Sequence, residues 1–134
     1  MYKFAVIEKL NDFTFTKVKY YSIRYNNNDV NEFLDFLNRM EDQKDIIDDL
    51  NNLIIWIEEL GEKYGALEKF FRSEAIDANT SALPPPNKIM QTHKIESKNL
   101  RLYCLRANES VVFYLMEELK QNEKQKIVQM FKNT

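Results

Sequence analysis

The sequence predicts a single α+β domain, and three observations predict it. Residues 2–25 carry two runs suited to strands. Residues 29–64 carry apolar residues at helical spacing, and residues 100–116 carry two short apolar runs separated by a turn. A length of 134 residues suits one domain spanning 1–134. Apolar residues make up 44% of the chain, enough for a core, and the net charge of −2 is too small for a disordered composition.

The elements follow in order. Tyr2, Phe4, Val6 and Leu10 recur at period two, so residues 2–10 read as a strand. Asn11-Asp12 reads as a turn, and residues 13–25 are rich in the Thr, Val, Ile, Phe and Tyr that suit a pleated surface. Together they predict an N-terminal β-hairpin. Asp29 and Glu32 have capping-box spacing, with Val30, Phe33, Leu34, Leu37 and Met40 behind them. A second stripe runs Ile46, Ile47, Leu50, Leu53, Ile54, Ile57, Leu60, Tyr64. The two stripes make either a helical hairpin bent near residues 41–44 or one kinked helix, closed by Gly65 as C-cap. Residues 66–98 read as a long irregular stretch holding FFRSEA, ALPPP and His93, the last taken as a solvated loop residue. LRLYCLR (100–106) and VVFYLM (111–116) read as neighbouring antiparallel central strands. Leu119, Ile127, Val128 and Phe131 predict a short C-terminal helix.

Composition excludes several function classes. No run approaches the roughly 18 apolar residues of a membrane helix, so no membrane partner is expected. Cys104 is the one cysteine and His93 the one histidine, so neither an internal disulfide nor a zinc site of thiolates and imidazoles is expected. A reducing cytoplasm is the expected compartment. The two glycines, Gly61 and Gly65, cannot build a phosphate-binding glycine loop. No metal and no cofactor is assigned.

Charge is unevenly spread. Residues 29–62 hold eleven Asp and Glu against Arg39 and Lys44, a net of −9; the remainder holds seventeen Lys and Arg against ten Asp and Glu, a net of +7. The acidic run reads as a solvated helix face, and the basic remainder permits a local phosphate-binding surface. Within that remainder, basic and aromatic residues interleave. Arg101 and Tyr103 alternate with Leu100, Leu102 and Cys104 and so share a sheet face, and Arg106 ends the run. Arg72 follows Phe70 and Phe71, and Lys17, Lys19 and Arg24 sit among Tyr20, Tyr21 and Tyr25. Arginine binds phosphate as a fixed fork and tyrosine stacks on bases, the two abilities RNA binding needs. The same residues also suit an ordinary sheet rim carrying ion pairs.

The order FFRSEA, ALP, NLRLYCLRANESVVFYLMEELK resembles the RelE/HigB-like toxin superfamily, in particular its phage-derived HigB-type branch, over roughly residues 57–120. The resemblance implies a curved antiparallel sheet flanked by a helical hairpin. The N-terminal β-hairpin and the short C-terminal helix would be additions to that plan. It also implies a toxin that cuts mRNA on the ribosome without a metal and is neutralised by an antitoxin protein of helix-turn-helix type. In such a toxin a ribose 2′-hydroxyl attacks the adjacent phosphate. By position, Arg72, Arg101 and Lys120 would be the catalytic residues, and Arg106, Tyr103, Lys17, Lys19 and Arg24 would contact RNA. Glu117-Glu118 stand where the family phrase has paired glycines, and Gln121 where it has threonine. A non-catalytic interaction protein of the same fold, binding a protein or RNA, is the alternative.

Overall fold

The computed structural model describes residues 5–73 and 80–115. Among them, β1 (Ala5–Thr14), β2 (Lys19–Tyr25), β3 (Ser81–Leu83), β4 (Leu102–Asn108) and β5 (Val111–Leu115) form one sheet in the order β1-β2-β5-β4-β3. Three α-helices accompany it: α1 (Glu32–Glu41), α2 (Ile47–Glu59) and α3 (Asn87–His93). The predicted C-terminal helix and Lys120 lie outside the described residues.

The sheet is mixed, which corrects the antiparallel expectation. β1–β2, β3–β4 and β4–β5 pair antiparallel, but β2 and β5 run parallel, with Tyr21 opposite Phe113 and Ser22 opposite Tyr114. Local turns specify antiparallel neighbours, whereas β2 meets β5 only after the long crossover through α1, α2, β3, α3 and β4. The N-terminal strands are therefore integral to the sheet, because β2 is hydrogen-bonded to the central strand β5.

Asn11-Asp12 is not the first turn. It falls within β1, where the register shifts between Lys9 and Thr14, and the chain reverses over residues 15–18. Long-range bonds decide this. Lys17 N donates to Gly61 O at 2.8 Å, and Thr16 donates to the Glu62 carboxylate through its hydroxyl (2.9 Å) and amide (3.2 Å). Gly61 leaves room for the approach: a Cβ there would lie 2.4–2.7 Å from Phe15. Gly61→Ala should force Phe15 to move and cost about 1–3 kcal/mol, as overpacking does. Chemical denaturation of the variant checks it.

The cap of α1 is Asn31, whose Oδ1 accepts from Leu34 N at 2.9 Å, in place of the predicted Asp29–Glu32 box. Asn31 is buried, and its Nδ2 also donates to Glu8 at 3.3 Å, so tertiary contact selects it over Asp29. Of the first apolar stripe only Phe33 is buried, with Val30, Leu34, Leu37 and Met40 half-buried; the second buries Leu50, Leu53, Ile57 and Leu60. Phe36 and Trp56, outside both stripes as read, are buried as well. The helical run breaks at residues 42–46 and ends in a π-turn, Leu60–Tyr64, with Gly65 at φ +78°.

The helices pack on one sheet face, where Tyr20 and Phe33 both stack on Tyr114 at 4.9 and 4.7 Å. The opposite face carries a separate cluster of Ile23, Leu105 and Phe113. Residues 66–98, expected to be irregular, contain β3, α3 and a 3₁₀ turn, Glu68–Phe70. Short elements of three to seven residues leave too little periodicity to read. Among the described residues no helix is long and apolar enough to cross a membrane.

Candidate functional site

Alternation along the strands and pairing between them divide the predicted basic residues between two faces. Arg24 shares the helix-bearing face with Tyr20 and Ser22, and Arg106 shares it with Cys104 and Leu102. On the opposite face stand Lys19 and Tyr103, and Arg101 immediately precedes β4. Arg72 joins them: it bridges to Ala82 through two backbone bonds of 2.9 and 3.0 Å, and Ala82 pairs with Tyr103. Directly opposed residues share a side, so Arg72, Ala82 and Tyr103 form one lateral row. Arg101 lies two residues before Tyr103 on the same strand path, and its Nη1 donates to Leu100 O at 3.0 Å.

The row is built rather than loose. Arg72 Nε donates to Pro84 O and its Nη2 to Asn87 Oδ1, both at 2.9 Å, which ties the guanidinium to the end of β3 and the start of α3. Pro84 and Arg101 sit one residue beyond the Leu83–Leu102 pair, so both guanidinium groups belong to the same end of the sheet. Arg72, Arg101 and Tyr103 are all half-buried. The acidic helices α1 and α2 pack on the other face. Of their carboxylates, Asp49 reaches the segment just before Arg101, accepting from Lys98 N at 3.1 Å and from Asn99 N and Nδ2 at 3.2 and 2.9 Å.

The remaining candidates are not brought to it. Arg24 pairs with Glu8 at 3.0 Å. Arg106 donates from Nε to the Ala66 carbonyl and lies 3.7 Å from Glu68 through Nη1. Lys17 donates to the Lys63 carbonyl at 2.8 Å. These three secure the sheet to the segment that follows α2 and to β1. Lys19 is exposed on the row's face but lies on β2, separated from β4 by β5.

His93 corrects its sequence reading as a solvated loop residue. It closes α3 and is half-buried among aromatic rings, with centroids 5.2 Å from Trp56, 5.5 Å from Tyr64 and 6.2 Å from Phe70. No spacing in the sequence links these four residues, which lie on four separate elements. The segment after α3 is strapped to α2 by Trp56 Nε1 to Ile95 O (2.8 Å), Asn52 Nδ2 to Glu96 O (2.7 Å) and Ser97 Oγ to Asp49 O (2.8 Å). A cleft of about 480 Å³ beside this strap is lined by Asp48, Asp49, Asn52, Gln91, Lys94, Glu96 and Lys98, none of them a predicted site residue.

Cys104 is fully buried, and burial pushes its thiol well above the ordinary range; burial likewise raises the phenols of Tyr20 and Tyr114. A raised folded pKa means that the neutral form is the one stabilised. The contribution is complete below the unfolded values, about 8.5 for a thiol and 10 for a phenol, and is lost as pH rises beyond them. Thermal unfolding midpoints should therefore fall as pH climbs above about 9. The native thiol should also resist alkylation until denaturant is added.

Among the described residues no group of three or more His, Cys, Asp or Glu side chains could hold a metal ion. No family model, curated protein or solved structure matches the chain.

Proposed function

We propose that this chain is an RNA-directed toxin of RelE/HigB type, contacting RNA through the Arg72–Tyr103–Arg101 row and cutting mRNA on the ribosome. The observation that carries the RNA contact is the row itself. Two arginines that lie 29 positions apart in the chain come to one end of the sheet beside a tyrosine. A fixed guanidinium charge favours phosphate nearby, and a half-buried tyrosine beside it can stack on a base. The cleavage step rests on the motif resemblance. A 2′-hydroxyl attacks the adjacent phosphate, the 5′-oxygen leaves, and the guanidinium groups stabilise the charge that develops on phosphate oxygen. A curved toxin-like sheet, a partner antitoxin of helix-turn-helix type and a cytoplasmic site of action belong to the same reading.

The alternative is a non-catalytic binding protein. It is favoured by the commitment of Arg24, Arg106 and Lys17 to internal bonds, which leaves fewer basic groups at the row than the sequence alone suggested. Induced expression in a bacterial host, with growth measured and RNA ends mapped, separates the two. New RNA ends together with growth arrest support the toxin; normal growth with an intact RNA population removes it.

A further inference from the structure

We propose that Tyr64 and His93, with neighbouring lysines, form a stacking platform for single-stranded RNA. This deepens the RNA reading above and rests on it for the choice of ligand, but it concerns a different surface from the arginine row.

The platform has a fixed base. Phe70 and Trp56 are 2% and 0% exposed, so they belong to the core. Tyr64 lies on Phe70 with ring centroids 5.1 Å apart and an angle of 29° between planes. His93 meets Tyr64, Trp56 and Phe70 edge-on, at angles of 79°, 68° and 68°. Trp56 is itself held by its bond to Ile95 O, immediately after α3. Tyr64 and His93 are only half-buried, so each keeps part of its ring at the surface while its orientation is set from below. Trp56 and Phe70 form the buried base, and Tyr64 and His93 lie at its edge. Here the two outer ones remain accessible, which suits stacking at little cost in side-chain entropy.

One exposed cation, Lys69, is placed against the cluster, and other lysines are its neighbours in the chain. Lys69 Nζ lies 5.3 Å from the Phe70 centroid, Lys63 precedes Tyr64, and Lys94 follows His93. Lys17 reaches the same place through its bond to the Lys63 carbonyl. Carboxylates stand nearby as well: Glu59 pairs with Lys63 at 3.1 Å, Glu62 accepts from Thr16 at 2.9 Å, Glu68 lies 3.7 Å from Arg106, and Asp48, Asp49 and Glu96 line a cleft with Lys94. Among the described residues neither Lys69 nor Lys94 forms an ion pair, and both are exposed. Aromatic faces flanked by exposed cations are the means by which proteins hold unpaired bases and their backbone. A duplex offers no free base face to such rings, which selects the single-stranded form.

The test uses the full chain and a labelled twelve-uridine RNA, read by fluorescence anisotropy and by emission from Trp56, the chain's one tryptophan. Tyr64→Ala should weaken binding about tenfold, Tyr64→Phe should stay within about twofold of the parent, and Lys69→Ala should flatten the salt dependence by about one phosphate contact. The matching duplex should bind at least tenfold more weakly than the single strand. Circular dichroism confirms folding, and exposed Lys69 supplies a variant that folds even if Tyr64→Ala does not. Parental binding by both Tyr64→Ala and Lys69→Ala, with Arg101→Ala binding lost, overturns the platform and leaves the arginine row standing. Loss in Tyr64→Ala with full retention in Arg101→Ala and Arg72→Ala sustains the platform and overturns the row. Equal affinity for duplex and single strand, or no RNA binding at all, overturns the platform.

Discussion

Arg101→Ala should lower RNA cleavage by about 10²–10³-fold, the usual cost of removing one preorganised donor to a developing oxyanion. Arg72→Ala should have an effect of the same order, because its guanidinium is held by Pro84 O and Asn87 Oδ1 in the same row. Arg101→Ala should not unfold the protein, since a half-buried arginine near solvent contributes little to stability. Arg72→Ala, by contrast, should also cost about 1–3 kcal/mol through its lost bonds to Pro84 O and Asn87 Oδ1. Leu102→Ala, one residue along, is the contrasting control. Its side chain is fully buried on the helix-bearing face, and truncation should cost about 2–5 kcal/mol while leaving the row's chemistry in place. Toxicity on induction, with urea denaturation of the same variants, separates the two kinds of loss. If both arginine variants stay fully toxic while folded, the row has no catalytic part.

Trp56→Ala should be the most destabilising single substitution in the described part of the chain. Trp56 has no exposed surface, packs against Phe70 and His93, and donates from Nε1 to Ile95 O. Removing a buried tryptophan ring costs about 3–5 kcal/mol, and loss of the bond to the part-buried Ile95 carbonyl adds to that. Domains of this size are stable by only about 5–15 kcal/mol, so the variant should be marginal at best. Trp56→Phe separates the terms, because it keeps most of the packing and loses only the bond. Urea denaturation followed by circular dichroism is the measurement. A loss below about 1 kcal/mol for Trp56→Ala would show that the strap after α3 is held without it.

Much of this architecture was legible because periodicity reports burial directly. The stripe Leu50, Leu53, Ile57, Leu60 could bury one side only as a helix, and LRLYCLR with VVFYLM could only pair across so short a turn. The alternation of Arg101 and Tyr103 with Leu100, Leu102 and Cys104 is likewise a local property of an extended chain. By itself, then, the sequence determined the α+β class, the helical character of the acidic segment, the β4–β5 pair and the basic–aromatic composition of a candidate surface; that the segment is two helices rather than one kinked helix was left to the structure.

Tertiary structure alone decided the rest, because each of those features depends on contacts between residues far apart in the chain. The parallel β2–β5 pair is set by the path of the crossover, which no local pattern encodes. The first turn sits at residues 15–18 rather than Asn11-Asp12 because Gly61 and Glu62 bind it there. Asn31 caps α1 because Glu8 engages it. Arg72 joins the row through a bridge to Ala82, whereas Arg24 and Arg106, equally basic in sequence, are drawn to Glu8 and to the Ala66 carbonyl. His93 gathers Trp56, Tyr64 and Phe70 from separate elements. A charge or a ring can be read from one position, but its partner is chosen by packing, which the chain settles only when it folds.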